Sequence, residues 1–295
     1  MATSPSPTSS STETLAAAER CSPGTRVRDE LCLSGDETSE ALADILHTQF
    51  GADKLSAVIA GVWHNGEPVL FGALGESMPG VPATPDMHYM LGNLSTPMLT
   101  TAFLQQVEAG VISLDDKVSK WYPDLPDADI ITVEMLLHDT TLTRDGNWPQ
   151  PILQGYDGER GVWENVTGWS PSWAHFAGGI GSNADDVGTF LDALGSGELL
   201  SSEYHDIQWA STTVGLGTNK PDQYWAMGFL VVKDSMFLNP TIPGYSGGGG
   251  TLPEEGWTMV VYTTASQATD PAAATATDIF RAFTGIVSPE HSLEG

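Results

Sequence analysis

Asn93, Ser95 and Thr96 lie close together in the stretch Tyr89-Met90-Leu91-Gly92-Asn93-Leu94-Ser95-Thr96, just ahead of an apolar periodic run. An acyl-transfer serine placed there would need a base one helical turn along, on the same face, to take its proton. For Ser95 that position holds Met98, a thioether with no basic group. Ser95 therefore reads as a structural hydroxyl or helix cap, with nucleophile as the fallback reading. Thr96-Pro97 reads as a cap followed by the first helical residue, so the helix is expected to begin near Thr96. His138 and Asp139 suggest a proton relay, but adjacent side chains rarely face the same way. Tyr156 could offer a phenol, although beside a glycine-rich turn a packing role is the simpler reading. Tyr245 and Ser246 precede four consecutive glycines, Gly247 to Gly250. Without a following Lys-Ser/Thr or a helix start, these glycines read as a flexible loop or a close backbone approach at a sheet edge rather than a phosphate cradle.

The elements that would position these groups are legible from periodicity. Residues 37–50 suit an amphipathic helix with Leu42, Ile45, Leu46 and Phe50 on one face. Leu55 to Trp63 and Pro68 to Leu74 read as strands joined at His64-Asn65-Gly66-Glu67, where Asn-Gly is a strong hairpin signal. Leu99, Ala102, Phe103, Gln106 and Val107 suggest one face of a buried helix ended by Gly110. Tyr224 to Lys233 and Trp257 to Thr264 read as further strands, and Pro271 to Phe283 as a closing helix. Composition and pattern give an α+β fold without internal repeats.

Three stretches carry a family resemblance. Ala102-Phe103-Leu104-Gln105-Gln106-Val107-Glu108-Ala109-Gly110 is followed by Ser113-Leu114-Asp115-Asp116-Lys117-Val118-Ser119-Lys120-Trp121-Tyr122-Pro123. Further on come Gly178-Gly179-Ile180 with Ser182, Ala184, Asp186 and Phe190, and then Pro243-Gly244-Tyr245-Ser246. From about Ala41 to Phe283 the chain resembles the β-lactamase-related family of class C β-lactamases, DD-peptidases and esterases. The resemblance implies a β-lactamase/transpeptidase-like fold. Its antiparallel sheet is formed by N- and C-terminal segments and flanked by helices, with the cleft against a helical middle region. That region looks shortened here, with only about 35 residues between Leu142 and Gly178.

The same resemblance places the family's nucleophilic serine at Asn93 and its lysine at Thr96. An amide oxygen is a poor nucleophile, and a threonine hydroxyl is no base near neutral pH. The family's Tyr-x-Asn occurs nowhere in this chain, and Tyr156 is the nearest substitute. For the Lys/His-x-Gly motif two registers compete, Tyr245-Ser246-Gly247 and Leu238-Asn239-Pro240. The second needs no gap, and it places a leucine and a proline where the family has a cation and a glycine. His138-Asp139-Thr140-Thr141-Leu142 stands where the family has Ser-His-Thr-Ser-Gly, with Asp139 at the histidine.

Thirty-eight acidic against 11 basic residues give the 295-residue chain a net charge of -27, which disfavours nucleic acid and anionic membranes. No run of eighteen apolar residues is present, so no membrane-spanning helix is expected. Residues 1–36 read as a Ser/Thr/Pro-rich tether and a loop closed by a Cys21–Cys32 disulfide, and residues 37–288 as the folded domain. The tether suggests the mature start of a secreted or lipid-anchored, extracytoplasmic protein. By the chain-entropy estimate the disulfide would add roughly 2–3 kcal/mol. Neither the cysteines nor the dispersed histidines form a metal pattern, and no cofactor is expected. The expectation is a non-hydrolytic relative of serine acyl-transfer enzymes that binds a small-molecule or cell-wall-peptide-like ligand, or a partner. The cleft candidates are Asn93, Ser95, Thr96, Asp139, Tyr156, Tyr245 and Ser246. The alternatives are a divergent esterase or D-Ala-D-Ala peptidase using Ser95, and a non-hydrolytic enzyme with a reshaped pocket.

Overall fold

The Asn65-Gly66 turn closes a two-residue hairpin with both residues at positive φ, +52° and +78°. The strands it joins, β3 (Leu55–His64) and β4 (Glu67–Met78), are the long N-terminal pair of an antiparallel sheet. A computed structural model describes residue 21 and residues 25–137, 150–169 and 179–292. The remaining strands in chain order are β1 (Arg26–Arg28), β2 (Leu31–Leu33), β5 (Val81–Pro82), β6 (Tyr89–Met90), β7 (Tyr156–Asp157), β8 (Glu164–Asn165) and β9 (Gly181–Ser182), then β10 (Gln223–Trp225), β11 (Leu230–Val232), β12 (Ser235–Leu238), β13 (Thr241–Ile242), β14 (Tyr245–Leu252) and β15 (Trp257–Ala265). The main sheet runs β1-β2-β4-β3-β15-β14-β12-β11-β10, with β13 on β14 and β5 on β4. The C-terminal strand β15 pairs with the N-terminal strand β3 from Trp257 opposite His64 onward, so the two ends of the chain share one sheet.

Alternation along the central strands feeds two cores. Val58, Ala60 and Val62 of β3, with Met259 and Val261 of β15, pack on the Glu37–Ala52 and Thr275–Val287 helices. Ala57 and Ile59, with Val260 and Tyr262, face the opposite side, where the Ala184–Ser196 helix and Leu94 lie. The Glu37–Ala52 helix begins where the Asp36 carboxylate accepts the Ser39 N–H at 2.7 Å, and it buries Leu42 and Leu46 as expected. Cys21 and Cys32 are joined by a disulfide. The loop that reads as polar in sequence is tied into the sheet, because Leu31 and Leu33 are fully buried and β2 pairs with β4.

Three expectations are revised. Tyr224 to Lys233 is not one strand but the hairpin β10–β11, turned at Ala226–Phe229, where Ala226 N–H bonds Phe229 O at 2.9 Å. The Thr96–Glu108 helix turns Phe103 and Ala102 outward and buries Pro97, Thr100, Thr101 and Leu104 instead. Its inner threonines are satisfied: Gln208 Nε2 donates to both hydroxyls, and Thr100 Oγ1 donates to Met227 O at 3.0 Å.

The four-glycine run is neither a loop nor a sheet edge; it lies inside β14, between β12 and β15. The close-approach reading is the one that holds. A Cβ on Gly249 would sit 2.8 Å from Leu94 Cδ1, and one on Gly250 would sit 2.2 Å from Met236 O. On the face that Gly250 shares with Gly248, opposite that of Gly249, a Cβ on Gly248 would meet Phe280 Cβ at 3.1 Å. Gly250→Ala must therefore push against the backbone of its neighbouring strand, whereas Gly248→Ala displaces a helix by only a few tenths of an ångström. Overpacking of this kind costs about 1–3 kcal/mol, and each kcal/mol lowers Tm by about 2–4 °C at this chain size. Thermal melts should show Gly250→Ala losing clearly more than Gly248→Ala; equal losses would contradict the packing.

Candidate functional site

Gly92, at φ +57°, starts a 3-10 turn over Gly92–Ser95 that runs directly into the Thr96–Glu108 helix. The α-helix does begin at Thr96, but the turn ahead of it keeps the spacing of a helix. Thr96 N–H bonds Asn93 O, so Asn93 and Thr96 sit one turn apart on the same side. Thr96 has helical dihedrals and is the first helical residue, which makes Pro97 the second, and neither Ser95 nor Thr96 caps the helix through its side chain. Ser95 is fully buried, and its Oγ donates backward to Gly92 O at 2.8 Å. Asn93 is half-buried. Its Oδ1 is shielded from solvent and has no hydrogen-bond partner among the described residues.

Four contacts fix this turn. Leu91 N–H bonds Ile180 O at 2.9 Å beside the β6–β9 pair, and the Tyr262 hydroxyl donates to Leu91 O at 2.7 Å. Leu94 presses into the glycine strand. Pro240 lies directly over Gly92, because a Cβ there would fall 2.5 Å from Pro240 Cβ. Tyr262 stacks on Tyr89 with ring centroids 3.7 Å apart. Burial drives both phenols well above their ordinary range, so they remain protonated near neutral pH.

Of the two segments considered for the third motif, Leu238-Asn239-Pro240 is the one whose proline abuts Gly92. Leu238 is buried at the end of β12, and Pro240 O accepts the Gly247 N–H at 2.7 Å. Tyr245 points elsewhere. Its hydroxyl donates to Leu153 O at 2.7 Å, its ring covers Gly155, and burial raises it to about 12.

Tyr156, Tyr245 and Ser246 come together along a groove of about 830 Å³. It is bounded by the β7–β8 hairpin, the Thr241–Ser246 segment and residues 263–275; Asn93, Ser95 and Thr96 do not line it. The Ser246 hydroxyl accepts the Ala276 N–H at 3.4 Å. Tyr156 stacks on Trp163 with centroids 6.2 Å apart and planes 11° from parallel. Asp157, Glu159, Trp163 and Asp270 also line the groove, and none of the four stands out as a site residue in the sequence. Asp157-Gly158 is a turn signal that could have shown the hairpin, but nothing local announces what packs opposite it. Asp139 and His138 lie outside the described residues. Among the described residues no His, Cys, Asp and Glu side chains group as metal ligands.

A sequence model of the Beta-lactamase family matches residues 42–140 and 129–283. A protein named β-lactamase from Yersinia enterocolitica is 26% identical over 114 residues, which is 38% of this chain and 29% of that protein's length. Among solved structures, D-amino acid amidase from Ochrobactrum anthropi SV3, complexed with L-phenylalanine amide, superposes with a TM-score of 0.71 at 16% identity, covering 86% of this chain and 99% of that one. A D-stereospecific amidohydrolase from Streptomyces sp. gives 0.64 at 18% identity over 83% of this chain and 97% of that one. The octameric penicillin-binding protein homologue from Pyrococcus abyssi gives 0.66 at 14% identity over 85% of this chain and 78% of that one. These structures share its α+β fold, and with the family match running from residue 42 to residue 283, the chain belongs to the β-lactamase family.

Proposed function

We propose that this protein keeps the β-lactamase-family fold but binds a ligand at the Leu91–Thr96 turn without cleaving it. One observation carries the reading. The 3-10 turn holds positions 93 and 96 as a nucleophile–base pair would be held, and the residues there are an amide and a hydroxyl. Asn93 Oδ1, which has no hydrogen-bond partner among the described residues, is an acceptor suited to a ligand N–H. Pro240 over Gly92 supports the same reading, because proline has no N–H to donate to a developing oxyanion. The alternative, a hydrolase using Ser95, has less support, since that hydroxyl is fully buried and donates to Gly92 O.

The amidase neighbours suggest the class of ligand: a D-amino acid amide or a cell-wall-peptide-like molecule. The disulfide supports an extracytoplasmic, secreted setting. No described helix is long and apolar enough to cross a membrane.

Nitrocefin, p-nitrophenyl acetate and D-phenylalanine amide are expected to remain intact over long incubation with the protein, and a fluorescent penicillin is expected to leave no label. A stoichiometric adduct mapped to Ser95 by mass spectrometry would overturn the reading. Installing the missing pair tests the geometry. Asn93→Ser/Thr96→Lys should gain penicillin labelling at position 93, whereas Asn93→Ser alone should not, because members of a coupled catalytic unit act together. Equal labelling of the single and double variants would show that positions 93 and 96 do not cooperate.

A further inference from the structure

We propose that the groove between the β7–β8 hairpin and residues 263–275 binds an organic ammonium group. Its volume, about 830 Å³, falls within the range of small-molecule sites, roughly 300–1,000 Å³. Two independent features of its wall select for positive charge. The first is aromatic: Tyr156 and Trp163 stack nearly parallel and both line the groove, and an aromatic π face attracts a cation. The second is electrostatic: Asp157, Glu159 and Asp270 line it, and among the described residues no lysine, arginine or histidine does.

The carboxylates are placed rather than scattered. Asp157 Oδ1 accepts the Glu159 N–H at 2.6 Å, and Asp270 Oδ1 accepts the Ala272 N–H at 2.9 Å, so each is oriented by its own loop with its second oxygen to spare. Glu159 has no ion-pair partner among the described residues. The hairpin's own cation is turned away from the groove: Arg160 Nε lies 3.6 Å from Glu164, and its guanidinium sits 5.5 Å from the centre of the Trp169 ring. Negative charge and aromatic surface thus face the groove, with no counterion on its wall among the described residues. The chain's net charge of -27 would further raise the local concentration of a cation.

This inference does not rest on the inactivity of the Asn93 turn, which contributes no residue to the groove. Titration of the full chain with choline, followed by calorimetry and tryptophan fluorescence, should show saturable binding. The neutral isostere 3,3-dimethylbutan-1-ol should bind at least about tenfold more weakly. Glu159→Gln/Asp270→Asn and, separately, Trp163→Ala should each weaken choline binding by about tenfold. Glu108→Gln/Asp115→Asn, which removes the same charge from exposed positions outside the groove, should not. Equal binding of choline and its isostere, absence of binding, or equal loss in the two charge variants would overturn the proposal. Penicillin labelling of the same samples reports separately on the Asn93 turn.

Discussion

The seating of the Leu91–Thr96 turn on the glycine strand β14 is the contact on which the rest of the arrangement depends. Strands normally hold side chains away from their neighbours; here four successive residues have none, and the turn and two helices close in on the backbone. Leu94 fills the space over Gly249, and burying a leucine there contributes about 1.5–3 kcal/mol. Pro240 then covers Gly92, whose positive φ lets the chain enter the 3-10 turn. The hydroxyl of Tyr262, anchored in the same core, holds the carbonyl of Leu91. Packing, rather than any catalytic bond, defines the conformation of residues 91–96.

The same packing fixes where residues 93 and 96 stand, whatever their side chains. Asn93 and Thr96 keep the one-turn spacing because the turn is clamped by Leu91, Leu94 and Gly92, none of which needs to be a reactive residue. Ser95 faces inward for the same reason, and its hydroxyl compensates the Gly92 carbonyl. Another set of polar and charged groups lines the groove of Tyr156, Trp163 and the surrounding carboxylates. The turn and the groove are thus built by separate elements.

The scaffold was largely legible in the sequence, because it rests on local signals. Asn65-Gly66 marked the hairpin, Leu42 and Leu46 marked the first helix, and the family resemblance placed β3 and β15 in one sheet. Long-range packing was less legible. The buried face of the Thr96–Glu108 helix is set by Gln208, more than a hundred positions away, which pairs with two threonines outside the apolar face that periodicity picked. For the glycine run the sequence left a loop and a close backbone approach both open, because what approaches, Leu94 and Phe280, is not local. The family resemblance pointed to Asn93 and Thr96, yet it could not show that a 3-10 turn would hold them together. The groove drew only Tyr156, Tyr245 and Ser246 from the sequence, since Trp163 and Asp270 meet only through the fold.

The most direct test of binding without cleavage is a high-resolution crystal structure of the protein soaked with D-phenylalanine amide. The account predicts an intact amide held non-covalently beside the turn, its N–H donated to Asn93 Oδ1, with Ser95 Oγ still directed at Gly92 O. An acyl bond to Ser95, or the free acid in place of the amide, would contradict it.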